Sequence, residues 1–165
     1  MINRKFIPVN IAVLTVSDTR TLENDRSGDV LAKYINDSGH FLKNREILKD
    51  DRAIISSKLT EWCKRDDIDV IITTGGTGLT GRDVSVEAHR DIYEKEIDAF
   101  ATMFTIISMK KIGTSAVQSR ACAGVAFGTY LFALPGSPGA CKDGWEEILK
   151  YQLDYTHKPC NFVEI

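Results

Sequence analysis

Between Ile71 and Asp83 the chain reads IITTGGTGLTGRD, a β-branched run that enters small residues and leaves through an Arg-Asp pair. Gly75, Gly76 and Gly78 can adopt positive φ, and their uncovered amides can form a nest for an anion. Thr74, Thr77 and Thr80 add hydroxyls, and a following helix start would add partial positive charge. This pattern points to phosphate binding. The plainer reading is a tight strand-to-helix turn that needs glycine only for geometry. A Walker loop is excluded, because Gly78 is followed by Leu79-Thr80 and not by a Lys-Ser/Thr ending. Gly76-x-Gly78-x-x-Gly81 matches the dinucleotide fingerprint in form only. Its glycines follow the third expected strand, not the first, and the residue at the acidic offset, Asp98, falls between two helices.

Asp50 and Asp83 are the next candidates. Two carboxylates beside a phosphate pocket repel the ligand, by on the order of 4 kcal/mol for one like-charge pair at about 4 Å. A Mg²⁺ between them removes that objection, since Mg²⁺ binds one or two carboxylates plus substrate phosphates. The plainer readings are a helix cap for Asp50 or its neighbour Asp51, an exposed turn for Asp83, and a helix-surface residue for Glu87. Arg120, in SRACAG, opens a small, apolar strand. Its planar fork suits a phosphate, and a salt bridge to one of the chain's acids suits it equally. In LPGSPG, Ser137 and Pro138 resemble an N-cap followed by proline at the first helical position, a geometry that points amides at an anion with or without a ligand.

These residues need a scaffold that gathers loops. Val9–Val16 is a nearly continuous apolar run, as in a strand buried on both faces of a parallel sheet. Ser27 is expected to cap a helix with Val30, Leu31, Tyr34 and Ile35 on one face, stopped by Gly39. Phe41–Leu48 reads as a second strand. A second helix then buries Ile54, Ile55, Leu59, Trp62 and Cys63, and Ile68–Thr74 is a third strand. Val84–Ile97 and Ala99–Met109 read as two helices, the second ended by Gly113. SRACAGVAFG and YLFALPG read as strands joined at Gly128-Thr129, and a helix from Pro138 turns Trp145, Ile148, Leu149 and Leu153 inward. The tail THKPCNFVEI reads as a short extended end. This alternation predicts one domain over 1–165: an α/β three-layer sandwich with a mostly parallel sheet. Ser17-Asp18, Asp50-Asp51, Gly75–Asp83 and Leu134–Gly139 then all lie at or near carboxyl ends of strands, where such sheets bind ligands.

The 165 residues carry a formal net charge of −2 and no run of four Lys/Arg, which argues against nucleic acid and a membrane surface as partners. No window approaches the roughly 18–20 apolar residues of a spanning helix. Cys63, Cys122, Cys141 and Cys160 include no C-x-x-C pair, so reduced thiols in a cytoplasm are expected. His40, His89 and His157 are far apart and read as surface or turn residues, not metal ligands.

TTGGTGLTGRD, SRACAG and LPGSPGA, in this order and spacing, resemble the MoaB/MogA family of molybdenum-cofactor biosynthesis. The resemblance runs from IAVLTVSD to PCNF, and the tail KPCNF and short length are closer to MoaB. It implies a three-layer α/β domain assembled as a trimer, or as a hexamer of two trimers. It implies transfer of AMP from Mg-ATP to the terminal phosphate of molybdopterin, with the product passed to a molybdate-insertion protein. It also implies essential aspartates at Asp50 and Asp83, as metal ligands or substrate-orienting groups. Ligand contacts are implied at Gly75, Gly76, Thr77, Gly78, Arg82, Ser119, Arg120, Pro135, Gly136 and Ser137. Two departures stand out. Ser85-Val86-Glu87-Ala88 replaces the usual Thr-Pro-Glu-Ala, with the serine expected to keep a capping hydroxyl, and Lys49 replaces a proline. Family members that lack the Arg-Asp pair do not catalyse, and this chain keeps Arg82-Asp83. A pterin carrier without catalysis is the alternative function.

Overall fold

The computed structural model describes residues 3–164; Met1, Ile2 and Ile165, the last residue of the tail stretch, lie outside it. Six strands form one sheet: β1 Asn10–Val16, β2 Phe41–Leu48, β3 Val70–Thr74, β4 Lys95–Glu96, β5 Cys122–Ala126 and β6 Thr129–Leu134. Their spatial order is β2-β1-β3-β6-β5-β4. The first four of that order pair in parallel; at one edge β5 runs antiparallel to β6, and β4 antiparallel to β5.

Side-chain alternation along the buried strands explains the layers. Ile11 and Val13 of β1, Val70 and Ile72 of β3, and Phe132 and Leu134 of β6 face one side. There they meet α1 (Arg26–Asp37), α4 (Asp98–Ile112) and α5 (Pro138–Gly144), which continues through a π-helical turn, Trp145–Leu149, to Gln152. Ala12, Leu14, Val16, Ile71 and Leu131 face the other side, against α2 (Arg52–Cys63) and the short α3 (Ser85–Arg90). Both faces of the sheet are covered, which is why β1 and β3 read as unbroken apolar runs. The mixed, mostly parallel α/β sandwich is the architecture the sequence predicts.

Several local expectations change. Asp25, not Ser27, caps α1, accepting from the Gly28 amide at 3.0 Å. Ser27 sits in the helix and donates to Gly136 O at 2.9 Å. Asp51 is the cap of α2, with Ile54 N donating at 3.0 Å, and Ile54 itself points outward. The helix expected over Val84–Ile97 ends at Arg90. Beyond it Glu94 N donates to Val125 O and Ile97 N to Ala123 O, so the segment becomes an edge strand on β5. Tyr93 covers Gly124, where a Cβ would lie 2.5 Å from the ring. The β5–β6 turn is Phe127-Gly128, both at positive φ. The tail ends in a turn of 3₁₀ helix, Phe162–Glu164.

His40 and His89 are buried, contrary to their surface reading. His89 joins α3 to the sheet, one ring nitrogen 2.8 Å from Thr73 Oγ1 and the other 2.9 Å from Tyr93 Oη. The four cysteines are free, with Cys63, Cys122 and Cys141 buried and Cys160 exposed. Among the described residues no helix is long and apolar enough to cross a membrane.

Candidate functional site

Thr15 of β1, Thr74 of β3 and Leu134 of β6 stand in register, so their loops leave the sheet at one level. β1 lies between β2 and β3, where the chain reverses its direction of strand addition, and this is where open α/β sheets form a ligand crevice. Because β5 runs antiparallel, Ser119 and Arg120, which precede it, come to the same end of the sheet.

The glycine loop is held from three sides. Gly75 has φ +95, and a Cβ there would sit 2.3 Å from Val16 O, while Gly136 approaches it from the other side. Gly76 has φ +66, and a Cβ there would meet Ser85 Oγ and, at 2.9 Å, Asp50 Oδ1. Both positions therefore require glycine for conformation and for space. Gly78 lacks positive φ, contrary to expectation; it is small because the Asp83 carboxylate lies against it, 2.8 Å from the Cβ position. The Gly75 amide donates to Leu134 O at 3.0 Å, extending the sheet. Among the described residues, the Gly76 and Thr77 amides have no protein acceptor, and the cradle read from the sequence narrows to these two. Ser85 does not cap α3; its hydroxyl donates to Gly75 O at 2.7 Å.

The carboxylates differ in environment. Asp83 Oδ2 accepts from the Thr80 hydroxyl at 2.6 Å and the Thr80 amide at 2.9 Å. With help from the Gly78 amide, these hold its carboxyl below the usual carboxylate range. The half-buried Asp50 is the opposite case. Burial, then the charges of Asp18 and Asp83, push its carboxyl above the usual range, with Arg82 acting against them. No side chain among the described residues donates a hydrogen bond to it. Asp18 accepts from Arg82 Nη2 at 2.6 Å and Nε at 3.0 Å, and from the Asp50 amide at 3.2 Å.

Arg120 realises the salt-bridge alternative. It pairs with Glu87 at 2.5 and 3.2 Å, while its Nε donates to Thr77 O and Gly78 O at 3.0 and 3.1 Å. It braces the glycine loop from behind, and Glu87 is its anchor, not a free helix-surface acid. Ser137 caps α5, accepting from Ala140 N at 3.1 Å, with Pro138 at the first helical position as the sequence predicts.

Asp50, Gly76, Gly78, Arg82 and Asp83 thus gather around one crevice. A recess of about 60 Å³ beside it is lined by Thr15, Ser17, Asp25, Thr74, Gly75 and Gly136. Ser119, Pro135 and Ser137 lie apart from the carboxylates, around a cavity of about 340 Å³ that also involves Phe104 and Ile112. A cavity of about 270 Å³ at the opposite end of the sheet, near Val9, Asp69 and Tyr130, meets none of these residues. The sequence places Asp18 among the loops at strand ends without giving it a role, and reads Glu87 as a helix-surface acid. Asp18 stands at the carboxyl end of β1, and Arg120 carries a salt-bridge reading, but with the partner 33 residues away no local pattern singles out Glu87.

Residues 12–155 match the family described as "Probable molybdopterin binding domain". Molybdenum cofactor biosynthesis protein B of Escherichia coli (strain K12) is 43% identical over 161 residues, covering 98% of this chain and 95% of that one. A crystal structure of a molybdenum cofactor biosynthesis protein B superposes with a TM-score of 0.88 at 37% identity, over 91% of this chain and 94% of the other. The tungsten cofactor synthesizing protein MoaB from Pyrococcus furiosus follows at 0.77 and 32%, over 86% and 91%. The match extends across both sides of the sheet and all the loops of the crevice, and the chain belongs to the MoaB/MogA family of molybdopterin-binding proteins.

Proposed function

We propose that this chain acts in molybdenum cofactor biosynthesis as a molybdopterin adenylyltransferase. An oxygen of the terminal phosphate of molybdopterin attacks the α-phosphorus of ATP. A new P–O–P bond forms, the bond from the α-phosphorus to the bridging oxygen breaks, and pyrophosphate leaves. Such a transfer is mainly positioning and charge neutralisation. The observation that carries this reading is the placement of Asp50. It is a half-buried carboxylate that takes no side-chain hydrogen bond among the described residues, against a positive-φ glycine whose amide, like that of Thr77, has no protein acceptor among them.

That donor set suits Mg²⁺. Among the described residues no group of three or more His, Cys, Asp or Glu could hold a metal. The residues present fit a cation that takes one or two carboxylates and completes its shell with water and substrate phosphate. Asp50 would hold it, with the second oxygen of Asp83 as its partner ligand. When bound, the ion supplies neutralisation of phosphate charge.

Arg82 supplies positive charge at the crevice mouth. Ser85 holds the Gly75 and Gly76 carbonyls, whose peptide units carry the Gly76 and Thr77 amides, Arg120 holds the Thr77 and Gly78 carbonyls behind the loop, and Gly75 and Gly78 shape the turn. The cavity at Ser119, Pro135 and Ser137 takes a further part of the ligands. The whole chain acts as one domain in the cytoplasm, as a trimer or hexamer, and hands its product to the molybdate-insertion protein. Assembly is supported by α4, whose outer face exposes Met103, Ile106, Met109 and Ile112, with Val117 beyond it 82% exposed. An exposed row of large apolar side chains on one helix face calls for cover. The test is pyrophosphate release that requires both ATP and molybdopterin and is lost in Asp50→Asn. Release without molybdopterin, or unchanged in the variant, contradicts the proposal.

A further inference from the structure

We propose that Asp18 is a positioning residue that aims Arg82 into the crevice. The inference rests on the phosphate-binding reading of the site and adds to it a residue outside the glycine loop. Asp18 follows β1, the strand between β2 and β3, and it joins the loops that follow all three. One oxygen accepts the Asp50 amide at 3.2 Å; the other takes Arg82 side-on, at 2.6 Å from Nη2 and 3.0 Å from Nε. Arg82 is 67% exposed, and its guanidinium hydrogen-bonds no other group among the described residues. A long exposed arginine without an anchor samples many rotamers, and ordering it on binding weakens the complex. Asp18 removes that cost in advance. The pair is open to solvent, so a doubly charged phosphate can share or take over the guanidinium, whose remaining N–H groups are free to reach it.

The opposite role is physically distinct. A carboxylate beside an anion site repels the anion, so an Asp18 that acts only through its charge would weaken binding, and its loss would tighten it. Inorganic pyrophosphate with Mg²⁺, titrated calorimetrically into the intact protein, separates the two. Asp18→Asn keeps an oxygen acceptor for the Asp50 amide and loses the charge that holds Arg82. It should weaken pyrophosphate binding about two- to tenfold, the scale of ordering one long side chain. Arg82→Ala should weaken binding at least as much, and the double variant should be no worse than Arg82→Ala alone. The Nε–H resonance of Arg82 gives a readout that needs no ligand. It should be resolved and slow to exchange in the wild type, and should broaden or move to the free-arginine position in Asp18→Asn. Tighter or unchanged binding in Asp18→Asn, additive effects in the double variant, or an Arg82 signal identical in both proteins overturns the inference alone. A wild type that binds no pyrophosphate overturns the phosphate-site reading together with it.

Discussion

At the scale of single residues, the sequence singled out the carboxylates but could not rank them. Asp50 and Asp83 look alike in a string of letters; their surroundings make them different groups. Asp83 is tied to Thr80 and lowered in pKa, chiefly by that hydroxyl, whereas Asp50 is raised, first by burial and then by Asp18 and Asp83. Asp50→Asn should lower turnover by about 10²-fold or more while leaving nucleotide binding within a few-fold, measured as kcat against Kd. Asp83→Asn should instead loosen the glycine loop, because an amide replaces one acceptor of the Thr80 bonds with a donor. The ionised Asp50 is the form that can hold a cation. Because its pKa is raised, that form is lost as pH falls through a value higher than an ordinary aspartate's. In the metal-free protein the Asp50 carboxyl should therefore titrate above the ordinary aspartate range, followed by carboxyl NMR, and its midpoint should move to lower pH in Asp18→Asn, which removes one cause of the shift.

At the scale of elements, five strands were legible and the sixth, β4, lay hidden in a helical pattern. Phe41–Leu48 was readable to its ends because its flanks carry local punctuation, Gly39-His40 before it and Lys49-Asp50 after it. Val84–Ile97 kept helical spacing in its letters, yet its second half is drawn onto β5 by backbone pairing across about 30 residues of chain, which no local pattern reports. Ser27 and Ser85 were read as caps because serine commonly caps; each instead donates to a loop carbonyl brought near by the fold. His89 belongs to the same lesson. Burial holds its pKa at about 3, so it stays neutral in the folded chain, while the unfolded chain takes up a proton near the ordinary value of 6.5. Between these values the unfolded state binds more protons, so stability should fall as pH drops below about 6.5, by up to about 1.4 kcal/mol per pH unit. Urea unfolding from pH 7 to 4 should show this slope, and His89→Gln should flatten it. Gly75→Ala should cost roughly 1–3 kcal/mol in the same assay, since it combines a positive φ with contact against the Val16 carbonyl.

At the scale of the whole molecule, the fold is a device for bringing five loops to one end of one sheet. The parallel strands deliver Asp18, Asp50 and the glycine loop, while the antiparallel β5 returns Ser119 and Arg120 to the same end. The outer face of α4 is the surface on which assembly is expected to depend. Ile106→Glu should shift the sedimentation of the protein toward the monomer at micromolar concentration; an unchanged profile would place the interface elsewhere. The most direct measurement of the central claim is the mass of the pterin after incubation with Mg-ATP and freshly released molybdopterin. The expected result is the adenylylated pterin with an equal amount of pyrophosphate, absent with Asp50→Asn. Molybdopterin that binds the protein and returns with its mass unchanged, ATP remaining intact, would contradict it and leave a pterin carrier in its place.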